Sequence, residues 1–339
     1  MKILWDLLGD ASKASSRVRG YWIHDELTKL GVDSAITHGD SRIDLIRFGL
    51  RMLLVDVVVF QKKYSRWHVL LAKWGRLLGK TVILDIDDAP SRSQNASTLR
   101  NVEKMMSICS VVICGCQKLV DYAGKYSEHV VLIPSCIKLN DYYSVEDEES
   151  DSRITLGWIG NGAHYCKDLV AILAEPLRLV AETQPIRFRI VGACGQQELR
   201  DAFGNIPNLD LELIDQIDWA ADGATRDAMK GVDIGLYPLL KNNFNPYKCG
   251  FKALEYMALG IPVSASPVSV SADIVRKGVD GFLCHDSADW VQAIEKLIDN
   301  ESLRSKMGAS ARDRVEQNFS TRAAAKHLLA ELNQETGNL

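Results

Sequence analysis

No two cysteines in this chain of 339 residues stand in a C-x-x-C pattern. The eight are scattered at 109, 114, 116, 136, 166, 194, 249 and 284, and only Cys114 and Cys116 are close. A zinc knuckle and a disulfide framework are thereby excluded; the expectation is buried, reduced thiols in a cytoplasmic protein. Positive charge is not in surplus. The net charge is −4, which argues against a dedicated nucleic-acid binder. Long apolar runs are missing too. No stretch reaches the ~18 apolar residues that a spanning helix needs. The opening MKILWDLLGD is short and broken by Asp6, without the apolar core or cleavage site of an export signal. Dinucleotide and nucleotide fingerprints are absent: the candidate G-x-G-x-x-G beginning at Gly160 has Tyr165 where the third glycine belongs, and there is no Walker loop.

What is present is a globular composition, 47% hydrophobic and 25% charged, long enough for two domains. Strand-like runs of Val, Ile and Leu alternate with helical patterns. In the first half they fall at 2–8, 34–37, 55–60, 81–86, 111–114 and 130–133, and in the second at 154–159, 188–191, 209–214, 234–238, 262–265 and 281–284. The runs lack clean alternation, as expected when both sheet faces are covered, so each half predicts a doubly wound α/β domain. The acidic stretch 141–153, DYYSVEDEESDSR, predicts a solvated linker. The expected organisation is a domain over 1–140, the linker, a domain over 154–320 and a closing helix over 321–339 that packs back on the first domain. Ligands of such folds bind outside the carboxyl ends of the strands, so residues just after strands are the candidates.

Two stretches of the second domain have the character of anion sites. After the strand at 154–159 come Gly160, Asn161, Gly162, Ala163, His164, Tyr165, Cys166 and Lys167, then a long helix. Small residues there let backbone N–H groups and a helix N-terminus approach an anion, and an ordinary tight turn is the alternative. The second stretch is NPYKCGFKALEYMALGIPVSAS, 245–266. Phe251 to Leu259 has helical spacing, and Gly260 and Pro262 close it. Lys248 and Lys252 share a face if the helix starts early, and Glu255 follows at i+3 of Lys252. The pair Lys252 and Glu255 is either a surface ion pair or a phosphate and ribose site.

KALEYMALGIPVSAS resembles the donor-binding signature of glycosyltransferase family 4, retaining enzymes of the GT-B fold, in which two Rossmann-like domains face each other across a cleft. GWIGNGAHYCKDL, RFRIVG, MKGVDIGLYPL, VRKGVDGFLCHDSADWVQAIEKLIDN and RDRVEQNFSTRAAAKHLLAEL follow in that family's order, and SSRVRGYWIHDEL and VILDIDDAP resemble a bacterial branch of it. The resemblance implies that Glu255, the second Glu of the E-x7-E motif, holds the nucleotide's ribose. It implies that Gly250 and Phe251 offer N–H groups to the donor phosphates, and that Lys167 neutralises the leaving pyrophosphate. The first Glu of the motif is replaced by Tyr247 and the arginine after the first glycine by Asn161, with Lys248 or Lys252 to compensate.

In the first domain Asp85, Asp87 and Asp88 end a strand. The D-x-D spacing resembles the metal site of a different glycosyltransferase fold, GT-A. No metal and no cofactor are expected, because lysines supply the charge. Asp87 and Asp88 are instead candidates for orienting the acceptor or capping a loop. Ser16, Arg17 and Arg19 either cap and brace the first helix or meet the acceptor. Of the histidines, His24, His68 and His164 are candidates, His164 for the donor. Residues 41–80 carry nine Lys and Arg against Asp44 and Asp56, interleaved with Phe48, Phe60, Tyr64, Trp67 and Trp74. That pattern suggests either an anionic membrane surface as partner, at the inner membrane face, or a solvated helix face with core aromatics. The expectation is a glycosyltransferase that moves a sugar, with retention, from a UDP- or GDP-sugar to a saccharide or lipid-linked acceptor in polysaccharide or glycoconjugate synthesis. A nucleotide-sugar epimerase of the same fold, or a GT-B subunit that binds without catalysis, are the alternatives.

Overall fold

The Val- and Ile-rich runs assemble into two parallel sheets of six strands each in the computed structural model, which describes residues 1–39, 41–88, 96–143, 153–268 and 270–337. The first unit comprises Met1–Cys136, Tyr247–Cys249 and Phe319–Leu339; the second comprises Ile137–Pro246 and Gly250–Asn318. Most of the expected linker, 144–152, lies outside the described residues.

In the first unit the strands are β1 (Lys2–Asp6), β2 (Asp33–Thr37), β3 (Val57–Gln61), β4 (Thr81–Ile86), β5 (Val111–Cys114) and β6 (Val130–Leu132), in the order β2-β1-β3-β4-β5-β6. Val57 to Phe60 and Val82 to Leu84 are wholly buried, which explains their unbroken apolar character. The final helix, Thr321–Gly337, packs on the Trp22–Lys29 helix of this unit, and His129 meets Glu335 at 2.7 Å.

In the second unit the strands are β7 (Ile154–Ile159), β8 (Ile186–Val191), β9 (Leu209–Ile214), β10 (Ile234–Tyr237), β11 (Val263–Ala265) and β12 (Gly281–Leu283), in the order β12-β11-β10-β7-β8-β9. Its core gathers Trp158, Leu169, Phe188, Phe203 and Trp290. The chain runs β7 to β9 in one direction and then returns to the other side of β7. The strand order therefore reverses between β7 and β10, where open α/β sheets bind their ligands.

The first helix of the chain is interrupted. Residues Arg17–Tyr21 form a π turn between the short Ala14–Ser16 helix and Trp22–Lys29. The extra residue per turn rotates Arg19 into the core.

Candidate functional site

The helix Phe251–Ala258 is docked at the reversal point of the second sheet by one hydroxyl. Tyr256 Oη accepts the Ile159 N–H at 3.0 Å, at the end of β7, and donates to the Leu236 carbonyl in β10 at 3.2 Å. Gly235 makes room, since a Cβ there would lie 2.5 Å from the Tyr256 ring. The helix starts at Phe251 because Gly250 is left-handed, φ 67°, and a Cβ on it would lie 2.4 Å from Ile274 Cδ1. That corrects one expectation: Lys248 lies outside the helix and groups with the first unit, so it does not share a helical face with Lys252. Phe251 occupies the first helical position, half-buried.

One turn before Tyr256, the Lys252 ammonium sits over three rings. Its Nζ is 3.7 Å from the centroid of Tyr165, 5.7 Å from Trp158 and 5.9 Å from Tyr237. Gly160 leaves the space for its stem, because a Cβ at 160 would lie 2.2 Å from Lys252 Cε. Burial pushes the Lys252 amine down to about 8, with Glu255 and then Asp168 pulling the other way. Both acids are engaged by other donors. Asp168 Oδ1 accepts from Leu240 N and Asn245 Nδ2, each at 2.8 Å. Glu255 Oε1 accepts from Tyr142 Oη at 3.0 Å and Thr225 Oγ1 at 3.2 Å. Of the two readings of this pair, the Lys252–Glu255 surface ion pair is not what forms. Glu255 is buried and held by two hydroxyls, and Lys252 is a half-buried cation lying against three rings.

Sequence reasoning missed Tyr142, Thr225, Tyr165 and Tyr237. Tyr142 was hidden inside the acidic stretch, yet it is buried at 4% exposure, and Arg312 donates to both its carbonyl and that of Ala258, at the end of the same helix. The linker reading therefore fails at 141–143. Only the aromatic pair Tyr142-Tyr143 amid acids was a signal for this.

The loop 160–167 behaves differently from the expectation. Gly160 N–H goes to Val191 O, Gly162 N–H to Gly192 O, and His164 N–H to the Asn161 backbone carbonyl and side chain. These three amides are engaged internally, and Asn161 is the N-cap of the Gly162–Thr183 helix. Gly162 is required because a Cβ would meet Ala193 O at 2.4 Å. Lys167 and His164 are exposed on the first turns of that helix.

In the first unit the acceptor candidates are mostly structural. Arg19 is buried: Nε and Nη2 donate to Asp85 at 3.2 and 2.6 Å, and Nη1 donates to Ile133 O at 2.6 Å. Burial works against the Arg19 charge, but Asp85 wins and raises its pKa. Ser16, fully buried, accepts from Gly9 N at 3.1 Å and donates to Gln61. Arg17 donates to Ala11 O and Ser12 O and braces that loop. Ser16 and Arg19 are buried, and Arg17 is half-buried. Asp87 is paired with Lys62 at 2.9 Å and accepts from Ser15 at 2.7 Å. Burial would raise its carboxyl, but Lys62 and Arg19 hold it below the usual range. Asp88, 3.9 Å from Lys62, is the more exposed of the two. With Asp85 and Asp87 each on a cation, the D-x-D spacing does not build a ligand set. His24 bonds Ser34 at 2.8 Å and His68 faces Asp6 at 3.2 Å, both structural.

Residues 153–300 match the protein family described as Glycosyl transferases group 1. The D-inositol 3-phosphate glycosyltransferase of Corynebacterium aurimucosum is 36% identical over 101 residues, 29% of this chain and 23% of that protein. The phosphatidyl-myo-inositol mannosyltransferase of Mycolicibacterium smegmatis is 28% identical over 163 residues, 48% of this chain and 40% of that protein. The chain thus spans less than a quarter of the first relative and less than half of the second. Among solved structures, Anabaena HepE in complex with UDP-glucose aligns with a TM-score of 0.71 at 14% identity, covering 98% of this chain and 100% of that one. A glycosyltransferase from Rickettsia africae aligns at 0.71 and 13%, covering 100% and 99%. These likenesses show the fold, two Rossmann-like domains of the GT-B class.

Proposed function

We propose that this chain, which carries a glycosyl transferases group 1 domain over 153–300, is a glycosyltransferase. It moves a sugar from a nucleoside diphosphate donor to a saccharide or lipid-linked acceptor with retention. The observation that carries this reading is Lys252. It is a cation at the reversal point of the second sheet with no carboxylate in ion-pair contact among the described residues, its pKa lowered to about 8 by burial. An anion is what completes such a site. A diphosphate on Lys252 and the positive end of the Phe251–Ala258 helix places the nucleoside near Glu255. Tyr142 and Thr225 preset the orientation of that carboxylate for ribose hydroxyls. As the bond to the sugar breaks, the leaving diphosphate gains charge, and Lys252 with the exposed Lys167 stabilises it in place of a metal ion. The HepE structure holding UDP-glucose supports the donor class.

Calorimetry with UDP and GDP tests the reading. One of the two binds, and Lys252→Met and Glu255→Ala each weaken binding by about tenfold or more. Lys167→Ala lowers turnover more than binding. Failure of both nucleotides to bind, or full binding by both the Lys252 and Glu255 variants, contradicts it. Donor turnover that needs an added acceptor separates transfer from epimerisation.

A further inference from the structure

Two helices of the first unit, Arg42–Met52 and Arg66–Leu77, turn large apolar side chains to water. Among the described residues, nine of the fifteen exposed large hydrophobic side chains lie between Ile43 and Leu78. They are not scattered: positions 43, 46, 50 and 53 on one helix repeat the spacing of 67, 70, 74 and 77 on the other. Ile46 is 65% exposed, Leu70 54% and Leu77 85%. Such a cluster on a folded chain marks a binding surface. Phe48 and Phe60, by contrast, are buried, so the aromatics of this region divide between core and surface.

The helices meet where Gly49 faces Trp74, 3.1 Å from a Cβ built on the glycine. Above that contact opens a groove of about 500 Å³, walled by Leu45, Ile46, Leu50, Trp67, Leu70 and Trp74, with Arg42 at its edge. Around it stand exposed bases: Arg42, Arg47 and Arg51 on one helix, Arg66, Lys73 and Arg76 on the other. The two helices hold a single acid, Asp44, which is engaged in the capping box with Ser41. The basic face belongs to a chain whose net charge is −4.

We infer that this face seats on an anionic phospholipid bilayer, with the bases at the phosphate groups and Ile46, Leu50, Trp67 and Leu70 among the upper acyl carbons. Charge decides the occupant. A second copy docking by the same face would bring two sets of six bases around an apolar contact with almost no acid to pair them. An anionic interface neutralises all of them, and the apolar stripe beside the basic one is the pattern of helices that lie in a bilayer surface. No described helix is long and apolar enough to cross a membrane, so the contact is peripheral. The inference goes beyond glycosyl transfer and is tested without it.

Co-sedimentation of the full chain with phosphatidylcholine vesicles, with and without phosphatidylglycerol, is the test. The anionic vesicles are expected to bind at least ~10-fold more tightly, and added salt weakens the binding. The triple variant Ile46→Ser, Leu50→Ser, Trp67→Ser and the triple variant Arg47→Glu, Arg51→Glu, Lys73→Glu each lose about tenfold or more. Melting temperature and nucleotide binding stay unchanged in both. Three results overturn the inference: equal binding to neutral and anionic vesicles, wild-type vesicle binding by either variant, or a dimer in ultracentrifugation that the apolar variant abolishes.

Discussion

Lys252 gives the proposed site a pH signature. Unfolded, a lysine keeps its proton up to its ordinary value of 10.5; folded, burial lowers this one to about 8. Between those values the unfolded chain holds more protons, so this residue makes stability rise with pH across the window, and below about 8 it imposes its full cost. A diphosphate on the ammonium raises the pKa again. Nucleotide binding is therefore expected to take up close to one proton at about pH 9 and almost none at about pH 7, with affinity falling by up to about tenfold per pH unit above 8. Calorimetry in buffers of different ionisation enthalpy reads the uptake, and Lys252→Met abolishes it. The same variant raises the melting temperature, by roughly 2–4 °C for each ~1 kcal/mol of desolvation relieved. Equal uptake in the variant assigns the proton elsewhere. Glu255 was legible from sequence because a carboxylate stood alone among apolar residues. Its partners Tyr142 and Thr225 were not, because they are 113 and 30 residues away.

Helix and turn geometry decided which other candidates survived. From sequence Arg19 was a candidate either for bracing the first helix or for meeting the acceptor. The π turn at Arg17–Tyr21 carries it onto Asp85 instead. Arg19→Met leaves that carboxylate buried without its cation, at a cost of about 3–5 kcal/mol. Chemical denaturation is expected to show this loss, with nucleotide affinity of the folded fraction unchanged. A stable variant with impaired acceptor use restores the ligand role. The glycines of the 160–162 turn were also legible, but for a different reason than anion binding. Gly160 clears the path of the Lys252 stem and Gly162 lets two turns cross. Gly160→Ala is expected to displace Lys252 and weaken nucleotide binding by about tenfold, whereas Gly162→Ala, which meets the Ala193 carbonyl, lowers stability first. Binding and melting measured on both variants separate the two roles; the same profile for both contradicts the assignment.

At the scale of the whole molecule the fold was the most legible feature. Wholly buried strands such as Val57–Phe60 must be continuous apolar runs, and twelve strands alternating with helices admit few topologies. Strand order was not legible, since it depends on which strands pair across long connections. It is the order that places Trp158 and Tyr237 on adjacent strands around Lys252. Charge distribution was legible in part: the basic run 41–80 stood out against a net charge of −4, but which of its bases and aromatics face outward was not. The central claim, that Lys252 and Glu255 grip a nucleoside diphosphate, is tested most directly by a crystal structure with a bound UDP- or GDP-sugar. It predicts phosphate oxygens within about 3 Å of Lys252 Nζ and ribose hydroxyls on Glu255. A nucleotide bound elsewhere, with Lys252 still lying against Tyr165, Trp158 and Tyr237 and touching no phosphate, contradicts it.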